Sequence, residues 1–313
     1  MFDRTPRGRL QKMIFDKAMQ AAPDRFKVIR LSDFTTWGIG GYTASCAVTS
    51  EQELAEVLNL LRERSLPWVI LGKGSNTLAP SEGWHGVVVL LKGDFTEYSF
   101  KGNLVTAGGG AHLPSVSGAA CSTDLTGLVF AVGIPGTVGG AVFMNAGAYG
   151  SSISDLVEEV GVLHPGGAIE YLTAEECGFA YRTSVFQKNG AVVLGATLRL
   201  SRAVGNSGEL RREAREILQL RRRKFPLDVP NAGSVFRRPD NGPPPGKLIE
   251  DCGLKGYRTG GAVVSRVHAN FIENAGGATS SDVMHLIEYV TDRVRRNTGI
   301  VLRREIRQLG ERI

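Results

Sequence analysis

The sequence predicts an α+β protein in which two glycine-rich loops cradle a large ligand. Three observations carry that reading. Short apolar runs of strand length alternate with amphipathic helical stretches. Gly72-Lys73-Gly74-Ser75-Asn76 directly follows the apolar run Trp68–Leu71, and the stretch Gly133–Gly150, GIPGTVGGAVFMNAGAYG, crowds glycines and an Asn between apolar segments. Glycine inside a helix or strand costs roughly 0.5–1 kcal/mol relative to Ala, so such density implies positive φ or backbone lying against a ligand.

In chain order, residues 1 to 30 are polar and weakly patterned and read as a loosely tied arm. Ser50-Glu51-Gln52-Glu53 reads as a capping box opening a helix that carries Leu54, Val57, Leu58 and Leu61 and ends before Pro67. Trp68–Leu71 and Val87–Leu91 read as buried strands, so residues 30–95 form one α/β unit and 96–202 a second. After Gly205-Asn206-Ser207-Gly208 a basic helix opens a third region, 203–313. That region has strand candidates at 260–266 and 269–273, then a helix capped near Thr279 with Val283, Leu286, Ile287, Val290 and Val294 on one face.

Neither glycine loop fits the common phosphate motifs. A Walker loop ends Gly-Lys-Ser/Thr, but Lys73 is followed by Gly74. A G-x-G-x-x-G fingerprint fails at Thr77 and again at Leu113. What remains is a nest of backbone N–H groups suited to a pyrophosphate, with tight structural turns as the alternative.

Composition is that of an ordinary globular protein: 313 residues, 42% hydrophobic, 22% charged, with no run long enough to span a bilayer. A cytoplasmic location is expected. Cys46, Cys121, Cys177 and Cys252 form no C-x-x-C pair and no histidines share a metal-ligand spacing, so free thiols and no metal are expected. The net charge of +6 is too small to imply nucleic-acid binding by itself, but seven basic residues crowd Arg211–Lys224 just before Pro226. That run is either a solvated helix face or the mouth of an anion site; it lacks the interleaved aromatics that single-strand binding would use. Arg182, in an otherwise apolar neighbourhood, needs a carboxylate or a ligand anion. Taken alone, Ser234 reads as a turn residue and Glu305 as a surface ion-pair partner.

An ordered series of motifs gives these residues a common setting. TTWGIGG at 35–41, GKGSN at 72–76, the 133–150 stretch, FAYRTSVF at 179–186, NAGSVFRRP at 231–239, the 246–272 segment and LRREIRQLG at 302–310 together resemble the UDP-N-acetylenolpyruvoylglucosamine reductases. The resemblance covers nearly the whole chain. It implies an FAD-binding domain of the vanillyl-alcohol-oxidase (PCMH) type over 1–202, made of two α/β subdomains, and a UDP-sugar domain over 203–313 whose tail returns to the active site. It implies non-covalent FAD, held by Gly72, Lys73, Gly74, Ser75 and Asn76 and by Gly133, Ile134, Pro135, Gly136, Thr137, Gly139, Gly140, Asn145 and Ala146. NADPH would reduce the flavin, whose N5 would then pass hydride to the enolpyruvyl group of UDP-N-acetylglucosamine enolpyruvate. Arg182 and Glu305 match the residues that stabilise the enolate-like intermediate, and Ser234 matches the one that protonates it. Tyr181, Lys224, Arg238 and Lys255 fall at substrate positions. Neither a nucleic acid nor a membrane is an implied partner, and a monomer is expected. Four positions depart from the family pattern at the flavin end: Gly38, Thr77, Leu78 and Val129. No insertion between Tyr181 and Ser234 supplies a substrate-covering Tyr loop, which places the chain with a shorter subtype.

Overall fold

A computed structural model describes residues 6–22, 24–203 and 208–311, so the expected turn at Gly205-Asn206-Ser207 lies outside the described residues. The chain divides into two compact units that do not follow the expected order. A central unit comprises Cys46–Gly72 and Val88–Arg221, and a terminal unit comprises the N-terminal segment to Ser45, Lys73–Val87 and the chain from Arg222. The segment 30–95 is therefore shared between both units, and the later boundary falls at Arg221 rather than near 202.

The central unit is built on a five-stranded antiparallel sheet in the order Ile169–Thr173, Val157–Leu163, Val192–Arg199, Leu104–Gly108, Tyr98–Lys101. Gly161, Gly195 and Gly108 lie opposite one another across its three central strands. A Cβ on Gly195 would stand 2.7 Å from the Ala107 carbonyl oxygen, and one on Gly108 2.2 Å from that of Phe95. Side chains are excluded at these two positions because neighbouring backbone fills the space, whereas Gly161 faces the Tyr171 ring. The sheet buries Val105, Val160, Val162, Ala196 and Leu198 against Leu113, Val116, Leu128, Val138 and Val142. In the same unit the helix Glu51–Glu63 buries Leu54, Val57, Leu58 and Leu61 as its spacing predicts. Its capping box is only half made. Ser50 accepts from the Glu53 N–H, whereas the Glu53 carboxylate takes the Thr49 N–H and hydroxyl at 2.7 and 2.9 Å.

The terminal unit begins with regular structure where a loose arm is expected. Pro6–Ala21 is a helix, and Lys27–Arg30 is a strand paired antiparallel with the start of Tyr42–Val48. Ile14 and Ala18, four apart on one helix face, are both buried, and this sparse stripe holds what composition alone presents as a loose arm. A three-stranded antiparallel sheet, Arg258–Thr259, Ala262–Val264, Ile272–Asn274, packs on the helix Ser280–Thr298. The core between them holds Ala262, Val264, Ile272, Val283, Leu286, Ile287, Val290 and Val294. Trp37 is fully buried there, its indole N–H donating to the Ile272 carbonyl at 2.8 Å.

The long helix opens with a complete capping box, Thr279 Oγ1 accepting from the Asp282 N–H at 3.0 Å and Asp282 from the Thr279 N–H at 2.9 Å. The Thr279 N–H, first, holds the Asp282 carboxyl below its ordinary range. A depressed folded-state pKa stabilises the fold above the unfolded value and is lost as pH falls through the folded one. Asp282→Ala is therefore expected to cost about 1 kcal/mol at neutral pH, the usual scale of a cap. Scanning calorimetry from pH 7 downward should show the gap between the proteins closing once the carboxyl protonates; a gap unchanged at the acid end would contradict this assignment.

Candidate active site

The two glycine loops are tighter structures than free cradles. In the central unit, Gly72 abuts Thr137 so closely that a Cβ would sit 2.9 Å from Oγ1, and a Cβ on Gly139 would sit 2.8 Å from the Gly109 carbonyl oxygen. Much of the glycine density thus serves loop-on-loop packing. The 133–150 stretch is also not all loop, since Val138–Met144 is a short helix with Thr137 as N-cap and Asn145 in the left-handed region at φ +43°. Several of its amides are already engaged: Val138 donates to Ala111, Gly139 to Gly109, and Gly140 to Thr137 Oγ1. The N–H groups of Lys73, Gly74 and Asn76 in the terminal unit, and of Gly136 in the central unit, donate to no backbone acceptor among the described residues. In each unit such backbone donors suit an anionic group. Asn145 spends its side chain on structure, donating to the Ala180 carbonyl at 3.0 Å and accepting from the Ser154 N–H at 3.1 Å.

Arg182, also in the central unit, sits in a tight turn closed by reciprocal hydrogen bonds of 3.0 Å between Ala180 and Thr183. Its φ of +54° is unusual for a residue with a side chain and marks stored strain, a feature that clusters at functional sites. The half-buried guanidinium donates to the Gly147 carbonyl at 2.9 Å and lies over the exposed Tyr181 ring, 5.3 Å from its centroid. Gln187 and Ser184 tie the turn to the short helix, both donating to the Phe143 carbonyl at 2.9 and 2.7 Å.

The terminal unit brings the Ser234 and Glu305 segments side by side. Glu305 donates its N–H to the Val235 carbonyl at 2.8 Å, and Arg237 donates to Arg303 at 2.8 Å. The Ser234 turn is braced by two asparagines that sequence reasoning did not single out. Asn231 accepts from the Gly233 N–H at 2.9 Å and donates to the Pro226 and Val229 carbonyls. Asn270, only 5% exposed, exchanges two hydrogen bonds with the Phe236 backbone at 3.0 and 2.9 Å, and its carbonyl takes the Val235 N–H. In sequence Asn270 is one polar residue in an apolar run; its burial is the signal, and burial is not written locally.

The basic residues of the same unit surround an aromatic cluster. Phe225 stacks on Phe271 with centroids 5.2 Å apart, and His268 packs against both. Burial first, then the Lys255 and Lys224 cations, lower the His268 pKa, while Glu250 opposes them. Lys255 is paired with Glu250 at 2.7 Å, whereas Lys224 and Arg238 are exposed. A cavity of about 420 Å³ beside them is lined by Arg222, Arg223, Phe225, Asp228, Arg266 and Glu273. An anionic ligand would find both guanidinium donors and an aromatic wall there.

Among the described residues no group of three His, Cys, Asp or Glu could hold a metal ion, and no helix is long and apolar enough to cross a membrane. Cys46, Cys121, Cys177 and Cys252 form no disulfide, the first three buried and Cys252 half-buried; burial pushes Cys177 up to about 11.

Residues 225–309 match the UDP-N-acetylenolpyruvoylglucosamine reductase C-terminal domain, and residues 42–173 match an FAD binding domain. The UDP-N-acetylenolpyruvoylglucosamine reductase of Caldanaerobacter subterraneus is 44% identical over 279 residues, covering 89% of this chain and 91% of its own. That of Heliobacterium modesticaldum is 42% identical over 282 residues, 90% and 89% of the two chains. Among solved structures, the UDP-N-acetylenolpyruvylglucosamine reductase of Thermus caldophilus superposes with a TM-score of 0.77 at 35% identity, covering 91% of this chain and 98% of that one.

Proposed function

The chain belongs to the UDP-N-acetylenolpyruvoylglucosamine reductase family, an α+β family of FAD oxidoreductases in peptidoglycan synthesis, and from that premise we propose that it reduces UDP-N-acetylglucosamine enolpyruvate to UDP-N-acetylmuramate with NADPH. The reading places the reaction in the cytoplasm and in a monomer, with FAD bound by the 1–202 region and the UDP-sugar by 203–313. Bound FAD supplies the two-electron relay from NADPH to the vinyl carbon distal to the substrate carboxylate. The chain's own residues deal with charge and protons. Arg182, held rigidly in its strained turn, offers a cation to the carboxylate side, where negative charge accumulates. Glu305 accompanies it as the second residue of the intermediate. Ser234 delivers the proton, which a hydroxyl can do only where the surrounding field makes it a stronger acid than in water. Lys224, Arg238 and Lys255 compensate the diphosphate, and Arg222, Arg223 and Arg266 of the cavity, which outnumber its carboxylates Asp228 and Glu273, add cations for the several negative charges of substrate and NADPH alike.

The observation that carries this reading is the backbone ladder that sets the Ser234 and Glu305 segments side by side, two stretches about seventy residues apart in sequence. The test is an absorption spectrum of the purified protein followed by anaerobic NADPH and then the enolpyruvyl sugar nucleotide. Flavin bands that bleach with NADPH and return with the sugar nucleotide are expected. Bleaching without return would leave a flavoprotein acting on another substrate.

A further inference from the structure

We propose that Asn76 is a positioning residue for Glu305, setting the carboxylate's place through the Glu305 peptide rather than serving only as a cofactor contact. The proposal rests on the role assigned to Glu305 above. The segment 303–309 of the terminal unit is a strip held along both edges. On one edge Arg237 donates to Arg303 and Glu305 donates to Val235, each at 2.8 Å. On the other, Thr77–Leu78 pairs parallel with Arg307–Gln308, Arg307 donates to the Asn76 carbonyl at 3.0 Å, and Leu309 donates to Leu78 at 3.0 Å. The parallel ladder stops short of Glu305. There the Asn76 side chain takes over, its Nδ2 donating to the Glu305 carbonyl at 3.2 Å.

Both backbone groups of Glu305 are therefore fixed from opposite sides. Its N–H is fixed by the segment that carries Ser234, and its carbonyl by a single amide of the glycine loop. Loss of that donor leaves the peptide held on one edge only, so the plane that aims the carboxylate can tilt. Misplacement of a reacting group by about 1 Å can cost on the order of 10²-fold in rate. Asn76 itself is half-buried and two residues beyond Gly74, which is held against Phe34 and Thr35, so the donor has a fixed base. The glycine loop and the acid are thereby one mechanical unit: a loop conformation suited to the cofactor is also the one that holds the carboxylate in place.

The test uses the FAD-loaded protein and measures the two half-reactions separately by stopped-flow absorbance, with FAD affinity measured in parallel. Asn76→Ala is expected to slow flavin reoxidation by the enolpyruvyl substrate about tenfold, the worth of one well-placed hydrogen bond. Bleaching by NADPH, measured at saturating FAD, should be slowed clearly less than reoxidation, since that step does not use Glu305, and any loss through the cofactor contact is read separately in the FAD affinity. Asn76→Asp, which keeps the shape and loses the donor, should be at least as slow in reoxidation. In a Glu305→Gln background Asn76→Ala should add less than about twofold, because residues acting through one group are not additive. Additive losses, equal slowing of both half-reactions, or full recovery at saturating FAD would each overturn the proposal and leave Asn76 a cofactor contact. If Glu305→Gln alone reoxidises at the parent rate, the role of Glu305 itself falls, and the inference falls with it.

Discussion

Ser234→Ala is expected to bleach normally with NADPH and to reoxidise with the enolpyruvyl substrate about 10²–10⁴-fold more slowly, the range for removal of a positioned general acid. The separation follows from the role proposed for the hydroxyl. Hydride transfer into the flavin needs no proton from this side chain, whereas the substrate carbanion must collect one before product forms. The substitution also isolates chemistry from folding unusually well. The turn around residue 234 takes its shape from Gly233 at φ +76°, from the Asn231 bonds and from the buried Asn270 amide, none of which involves the serine hydroxyl in any described hydrogen bond. Thermal stability should change by less than a degree or two, in keeping with about 0.5 kcal/mol for changes outside the core. Reoxidation at the parent rate would remove Ser234 from the mechanism; a large fall in melting temperature would mean that the hydroxyl braces the turn after all.

Elements written as local periodicity were legible in the chain. The helices at Glu51–Glu63 and Ser280–Thr298, with their caps and buried faces, follow from spacing alone. The helix Pro6–Ala21 did not, because its described side chains include only two buried apolar residues in a polar sequence, Ile14 and Ala18. The glycine loops were legible as unusual but not as what they are. Sequence density cannot distinguish a glycine that faces a ligand from one where a close neighbour leaves no room for a side chain, and Gly72, against the Thr137 side chain, and Gly139, against the Gly109 backbone, are of the second kind. Among site residues, those with charged or nucleophilic side chains in the motifs could be named, whereas Asn270 and His268, though inside the 246–272 segment, matter through burial and through partners far along the chain. The discontinuous make-up of the two units was invisible for the same reason: Lys73–Val87 belongs with the C-terminal region through long-range pairing such as Leu78 with Gln308, which no local pattern encodes.

Gly74→Ala carries the largest expected structural effect. A Cβ there would lie 2.2 Å from the Phe34 carbonyl oxygen and 2.8 Å from the Thr35 Cα, and φ is +61°. The left-handed conformation alone costs roughly 1–2 kcal/mol for a residue with a Cβ. The clash adds to this, because its partners are backbone atoms and cannot swing aside as a flexible side chain would. Together these predict a loss of about 2–4 kcal/mol, at the upper end for a point substitution. Gly102→Ala is the control. Its φ of +65° is nearly the same, yet a Cβ there meets nothing within 4 Å, so only the conformational cost remains. The variants should separate in denaturant midpoint and, more sharply, in colour. Gly102→Ala should purify with its flavin. Gly74→Ala should lose it, because relieving the clash moves the Lys73, Gly74 and Asn76 amides, which the family resemblance assigns to the flavin. If instead Gly74→Ala holds FAD with the parent affinity, those amides are not the phosphate donors, and the glycine at 74 is there solely so that the loop can lie against Phe34.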